Sequence, residues 1–596
     1  MGYTSKEVYE YVSKKSNDPI TQRKKCRVSW QDFPIYQSDL EFYDKVSPTF
    51  EVSENYAKEF FEKNSDVRDS FEYKDWKLKA KIPTPTLCPE ERERRRFAFM
   101  NNQHLYRREL DNTKKQAISI FSPDKPYKVY DLDYRFSRER EAEEVKDWNK
   151  NFYDNYLYLL LNTPISHKGT RWESENSDYC NAVVGVKDSY MCFYGIWLED
   201  CMYVYDGISK DTSCVDCDSI NMCSFCFDCV KLKNCSSLFH CNNCINCHNS
   251  SYIDNCIWCH DCYNCINLVN QSYCIDNKQY TKDEYQKLIQ NIKPHDKPEK
   301  QKVIWCDQTE CENSYGNNYT WCKDCSFSNA LTNCENTKYS RDIPDMKNVY
   351  DGRWIMSDYW LETWASGYTH HCLFVLVVLD SNDCLYSQFC DNCNNIFWCI
   401  WLKDKSYCIY NKQYSKEEYN EIVPQIIAQM IHNKQWWEFL DPQLSYFGYN
   451  ESASMEYYPL SKDEALKLWY KRSDYEAPFP KVEKFVPWNK LPTQWCKIIK
   501  EKKPDILKKI LDYAVVCEVS KKPFRITKQE IDFYVKHNIP LPTKHPDIRH
   551  LERTKRKDPT TMNLVHCDEC GEEILSVHIP WEWKRVLCEK CFYKEN

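Results

Sequence analysis

The sequence predicts a mixed, mainly β fold: a two-lobed, cysteine-rich β-solenoid of about 21 residues per coil, flanked by two related small α+β modules. Three observations predict it. Cysteines recur in register through the middle of the chain, one closing string occurs there twice, and the two ends of the chain repeat each other. At 596 residues the chain also exceeds what one hydrophobic core organises, so several domains are expected.

Between Cys180 and Cys408 lie 28 of the 36 cysteines. Cys214, Cys235 and Cys256 step by 21, as do Cys223, Cys244 and Cys265, and the pairs Cys226/Cys247 and Cys241/Cys262 repeat the step. A fixed period near 20 residues, with few helix formers and much Asn, Asp, Ser and Tyr, points to stacked coils of short strands and turns. Equivalent residues of successive coils then stand about 4.8 Å apart, so each cysteine column becomes a ladder on the inner wall. Thiols are small and apolar enough for a narrow interior. Asp200, Asn234, Asn243, Asn255 and Asn264, each next to a cysteine, fit the turns between strands.

The same columns generate two overlapping zinc-ribbon spacings, Cys223/Cys226/Cys244/Cys247 and Cys241/Cys244/Cys262/Cys265, which both require Cys244. Reduced structural thiols, further metal inside the solenoid and disulfides therefore stay open as alternatives, with parallel side-chain directions disfavouring the last.

The first lobe closes on Tyr273-Cys274-Ile275-Asp276-Asn277-Lys278-Gln279-Tyr280. Nearly the same string, Tyr407-Cys408-Ile409-Tyr410-Asn411-Lys412-Gln413-Tyr414, closes a second lobe at an offset of 134. A capping box follows each, Thr281 to Glu284 and Ser415 to Glu418, as expected where a helix covers the end of a stack. Lys293 to Lys302, rich in Lys and Pro, reads as the linker.

The flanking modules are copies. Cys26, Val28, Ser29, Phe33, Ile35, Phe42 and Tyr43 recur at an offset of 491 as Cys517, Val519, Ser520, Phe524, Ile526, Phe533 and Tyr534. From Ile82-Pro83-Thr84-Pro85 onward the offset is 457, so the N-terminal copy carries an insertion equal to the difference, 34. In the C-terminal copy, Cys567, Cys570, Cys588 and Cys591 form two knuckles in the pattern CxxC-x17-CxxC. Each knuckle offers two thiolates from one tight turn, and together they form a closed S4 shell for one structural zinc, making this module a zinc ribbon. The N-terminal copy has Leu110, Thr113, Asp131 and Tyr134 at those positions and is expected to be held by packing. Cys26 with Cys88, and Cys517 with His545, read as remnants of another metal site with two ligands each.

These residues resemble a family of uncharacterised cysteine-rich, zinc-ribbon proteins of candidate phyla radiation bacteria. The resemblance covers most of the chain. Its carriers are Cys26 to Pro48, Thr84 to Arg108 with Cys88-Pro89-Glu90-Glu91-Arg92, Ser122-Pro123-Asp124-Lys125-Pro126-Tyr127, the solenoid ends, and Phe524 to Cys591. Members often write the middle motif Cys-Pro-x-Cys-Arg, from which Glu91 and Ile548 depart. The resemblance implies the architecture and brings no activity.

Arg92, Arg94, Arg95, Arg96, Phe97, Phe99, Tyr106, Arg107 and Arg108 mix guanidinium groups with rings, a combination suited to RNA or single strands. Arg549, Arg553, Lys555, Arg556 and Lys557 correspond in the other copy. Interleaved Glu90, Glu91, Glu93, Glu109 and Glu552 give the competing reading, a salt-bridged solvated helix face. A cysteine-poor insertion, Tyr350 to Cys372, carries Trp354, Tyr359, Trp360, Trp364 and Tyr368 ahead of His370 and His371. It suits a ligand groove or the cover of a solenoid edge.

A net charge of -8 argues against a uniformly basic nucleic-acid coat. Met1 to Asp18 lacks an apolar run and Leu373 to Leu379 is too short to span a bilayer, so a cytoplasmic protein with no membrane span is expected. No nucleotide-binding, metalloprotease or nucleophile-elbow motif stands in a believable context, so no catalytic residue is assigned. The expected domains are 1–150, 165–290, a linker 291–303, 304–432, a connecting region 433–510, and 511–596. The functional expectation is a non-catalytic, zinc-binding interaction or scaffold protein whose partner is a macromolecule, protein favoured over nucleic acid. An RNA or single-strand binder and a thiol-rich metal-storage or redox protein are the alternatives.

Overall fold

The computed structural model describes residues 2–595 except 102, 138–143, 146–151, 171–173, 293–302, 354–355, 365, 480–481, 483, 492–509 and 580–583. The expected linker thus lies almost wholly outside the described residues, as does Trp354. Two compact units are present: 1–167 with 304–473 and 559–596, and 168–303 with 474–558. Each contains solenoid coils. No helix among the described residues is long and apolar enough to cross a membrane.

The coil repeats at a step of 12, not 21. Val230 pairs with Asn242, Cys262 with Cys274 and Asn382 with Asn394, all in parallel. The underlying repeat is a triplet: an inward residue, an outward residue in the ladder, and one in the left-handed region, as Met222, Phe225, Asp228, Lys231 and Asn234 show in succession. Four triplets bring the chain back over itself. Because 21 is also a multiple of three, inward cysteines match at that step without being neighbours. The phase slips in the second unit where Ser209 and Lys210 are both left-handed, and Met202 pairs with Val215 at a step of 13. In the first unit, Val349 pairs with Trp360 at a step of 11.

The triplet explains the cysteines. Two of its three amides enter the ladder, as when Ser224 N donates to Cys235 O and Phe225 N to Thr212 O, both at 3.0 Å. The inward residue's amide is left over and would be orphaned in a dry core at a cost of about 1–3 kcal/mol. It donates instead to the inward side chain of the preceding coil: Cys241 N to Cys229 Sγ (3.4 Å), Cys247 N to Cys235 Sγ (3.5 Å). The thiol's single proton in turn faces carbonyls, in Cys229 that of Phe227 (3.2 Å) or Leu238 (3.4 Å). Serine does the same work where it replaces cysteine, Cys201 N donating to Ser189 Oγ (3.1 Å) and Cys399 N to Ser387 Oγ (3.1 Å). All described cysteines are free thiols.

Among residues with a side chain, a left-handed backbone costs least for Asn and Asp. Asn243, Asn255 and Asn267 form an amide ladder at 2.9 and 3.0 Å. Aromatic residues at such positions stack instead, Phe374 on Tyr386 (4.7 Å) and Tyr386 on Trp398 (4.5 Å), which offsets the backbone cost. The segment read as an insertion is continuous with the coils: Met356–Trp364 and Gly367–Leu373 are solenoid strands, with Trp360 and Trp364 buried. Helices Lys282–Ile289 and Lys416–His432 follow the closing strings, and both capping boxes form.

The modules repeat element for element. Helix Gln37–Val46 matches Lys528–His537, and Pro89–Phe97 matches Pro546–Thr554. The insertion in the first copy supplies helix Glu54–Lys63 and the hairpin Phe71–Lys74/Lys77–Ala80, which pairs with Thr49–Glu51.

Candidate metal centre

Hairpin Asn563–His566/Glu573–Ser576 ends in a tight turn. Cys567 N donates to Glu572 O at 2.8 Å and Gly571 N to Cys567 O at 2.9 Å, with Gly571 left-handed at φ 74°. Strand Lys584–Val586 is tied to that turn, Asp568 N donating to Val586 O (2.9 Å) and Val586 N to Asp568 Oδ2 (2.8 Å). It delivers Cys588 to the start of helix Glu589–Glu595, whose first turn carries Cys591.

The four Sγ atoms lie within 4.8 Å of one another, with Cys570 and Cys588 at 3.7 Å. A tetrahedral thiolate shell with metal–sulfur bonds of about 2.3 Å has edges of about 3.8 Å, so the donor set fits a metal ion. Among the described residues no other group of three His, Cys, Asp or Glu brings its ligand atoms so close, the overlapping solenoid spacings included. Burial opposes ionisation of Cys567, but the amides of Cys570, Cys588 and Glu569 bring its thiol down to about 6. Cys591 is pushed up to about 12, by burial and then by hydrogen bonds with Cys588, Cys570 and Cys567. Four close thiols resist collective ionisation unless a cation neutralises them, which is the condition a bound metal meets. With every donor a protein sulfur, no position remains for a reacting water.

The same turn occurs three more times. In the N-terminal copy Leu110 N donates to Lys115 O (3.0 Å), Lys114 N to Leu110 O (2.9 Å) and Asp111 N to Val129 O (2.8 Å), with Lys114 left-handed. Leu110 and Tyr134 are buried where the other copy has Cys567 and Cys591, and Asp131 caps its helix by accepting from Tyr134 N at 3.2 Å. Packing stands in for metal. Upstream, Cys26 N donates to Gln31 O (2.8 Å), Trp30 N to Cys26 O (2.9 Å) and Arg27 N to Thr86 O (3.1 Å), while Cys517, Lys521 and Glu518 repeat the pattern with Lys522, Cys517 and Thr543.

These upstream knuckles carry Cys26, Ser29, Cys88, Glu91 and Cys517, Ser520, His545, Ile548 at the four ligand positions. Neither completes a shell. Glu91 is committed to Arg94 (2.8 Å) and to the Tyr3 hydroxyl (2.7 Å), and Ile548 has no donor atom. Cys26 is brought down to about 4, chiefly by its hydrogen bond with Cys88 and further by Ser29 against burial, while the Cys88 thiol goes up. The signal for these turns was in the sequence as Cys-x-x-Ser followed by Cys-Pro or His-Pro at a helix start.

The candidate nucleic-acid residues point elsewhere. Arg92 and Arg96 pair with Asp351 (2.9 and 3.3 Å), Arg94 with Glu91, and Arg95 with Glu438 (2.7 Å). Phe97 is buried edge-on against Trp364, and Arg108 donates to the carbonyls of Ser122 and Tyr127. Arg549 and Arg553 hold Asp216, and Arg556 binds Asp228 at 3.0 Å. Only Arg107 and Lys555 of the set are exposed. The adjacent histidines do not converge either: His371 lies against Asp383 (2.8 Å) and Val46 O (3.1 Å). The chain matches no protein-family model and no curated protein.

Proposed function

We propose that the chain is a non-catalytic interaction protein in which one zinc ion braces the C-terminal ribbon and two solenoid lobes present rigid surfaces to a partner protein. The observation that carries this reading is the closed four-sulfur shell, which fits a structural metal and leaves no site for chemistry. Zinc is favoured because four thiolates on two tight turns form the tetrahedral set it prefers. The domain limits expected from the sequence, 1–150, 165–290, 304–432, 433–510 and 511–596, remain part of this proposal; the compact units divide the chain differently, with 474–558 in one unit and 559–596 in the other. A cytoplasmic setting agrees with a core built on reduced thiols.

Protein is favoured over nucleic acid because the arginine pairs are committed to carboxylates within the fold. The test is twofold. Elemental analysis of protein purified without oxygen should return one zinc per chain with the remaining thiols free. Immobilised full-length chain should retain a protein partner at moderate salt after nuclease treatment; retention only of nucleic acid, lost steeply with salt, would transfer the reading to the RNA-binding alternative. Several metals per chain would transfer it to metal storage.

A further inference from the structure

One groove is built twice in this chain, and among the described residues only one of the two is filled. In the first unit Trp436 is fully buried, its indole N–H donating to Lys81 O (3.0 Å) and its ring lying against Phe374 and Tyr386 (6.5 and 5.9 Å between centroids). Two residues on, Glu438 binds Arg27 (2.5 Å), Arg95 (2.7 Å) and Thr86. The chain's own segment 435–440 thus occupies the place where the module meets the solenoid in that unit.

The second unit repeats the surroundings. Phe374 and Tyr386 correspond to His240 and Tyr252 at the offset of 134 between the closing strings. The two pairs stack alike, at 4.7 Å and 15° and at 4.9 Å and 17°. Thr86 and Arg95 correspond to Thr543 and Glu552, and Arg27 to Glu518. Between these walls lies a cavity of about 300 Å³. Its solenoid side includes Phe227, His240 and Tyr252, and its module side Leu541, Thr543 and Glu552. No described segment lies in it. Arg553, buried in its lining, keeps Nε and Nη2 without an acceptor among the described residues.

The charges on the rim are inverted. The first unit sets one acid, Glu438, between two arginines, whereas the second sets the chain's own Lys544 against two acids, Glu552 at 2.6 Å and Glu518 at 3.8 Å, so that one carboxylate stands in excess on this rim. An aromatic anchor in a pocket carries most of the affinity of a peptide contact, and rim charges select its neighbours. We propose that this cavity docks a segment of a partner protein presenting a tryptophan, followed two residues later by Lys or Arg. The proposal rests on the interaction reading for the existence of a partner and supplies its site.

The experiment titrates the full-length chain against two labelled hexapeptides, Gln-Trp-Trp-Lys-Phe-Leu and Gln-Trp-Trp-Glu-Phe-Leu, by fluorescence anisotropy. The lysine peptide should bind at least tenfold more tightly. Filling the groove with Leu541→Trp should abolish that binding, and the E518R/K544L/E552R chain, which carries the first unit's Arg, Leu and Arg at these positions, should reverse the preference. Failure of both peptides to bind the wild-type chain, equal binding of the two, or binding unaffected by Leu541→Trp overturns the proposal. A chain that still captures a protein partner at moderate salt while ignoring both peptides overturns the groove and leaves the interaction reading standing.

Discussion

Arg553 and Asp216 pair at 2.8 Å with their side chains 1% and 3% exposed, and four residues earlier Arg549 takes the other carboxylate oxygen. The N-terminal copy does the same with Arg92 and Arg96 on Asp351. Residues four apart share one helix face, so each module grips one solenoid carboxylate with two guanidinium groups. Breaking a buried pair from one side costs about 3–5 kcal/mol because the survivor stays buried and unpaired. R553M should therefore lower stability by about that amount in urea unfolding. Adding D216N should cost less than the sum of the two single changes, leaving a coupling of at least about 1 kcal/mol.

The inward cysteines give a second prediction. Cys229 Sγ accepts from Cys241 N and has one proton to donate to Phe227 O or Leu238 O, roles that a hydroxyl can fill. Cys229→Ser should change the unfolding midpoint little. Cys229→Ala leaves the amide buried without an acceptor and should cost about 1–3 kcal/mol. Equal effects of the two would show that the column depends on thiol volume instead.

Much of this was legible in the sequence, and the limits have physical causes. The duplication at offsets 491 and 457 placed both helix pairs, and the double knuckle located the sulfur cluster. The coil length was misread because thiol spacing reports the triplet, and any multiple of three satisfies it. The partners of the arginines were not legible because Asp216 and Asp351 sit at left-handed positions where Asp is common as a turn residue and lie far away along the chain. Interleaved glutamates resembled a solvated face, yet Glu93 is bound to Arg341 at 2.8 Å. Charge pattern along a helix does not reveal which face a second element covers.

Asp211 should impose a pH dependence. It occupies an inward position, buried, with Oδ1 accepting from Cys223 N (2.7 Å) and Oδ2 without a partner among the described residues. Burial pushes its carboxyl up to about 8, the Cys223 amide opposing and the Cys223 and Cys217 thiols adding to the rise. A carboxyl with a raised folded pKa binds its proton more tightly in the native state. Its contribution is present below about pH 4 and is lost as pH climbs toward 8. D211N, which cannot ionise, should flatten that decline and be more stable than wild type at about pH 8 in parallel unfolding titrations. An unchanged slope would remove Asp211 as its source.

The degenerate copy offers the most direct test of what the proposed metal would contribute. Leu110, Thr113, Asp131 and Tyr134 stand on turns whose backbone hydrogen bonds match those around Cys567, Cys570, Cys588 and Cys591. If backbone geometry is what prepares a four-sulfur shell, replacing all four by cysteine should raise zinc content from one to two per chain by elemental analysis. Chelation should then expose residues 106–136 to hydrogen exchange, a region that in the wild-type chain stays protected when the ribbon alone loses its metal, because packing of Leu110 and Tyr134 holds it. A second zinc that fails to bind would mean that the packed copy has lost the room a metal needs, and that the two ribbons diverged in backbone as well as in ligands.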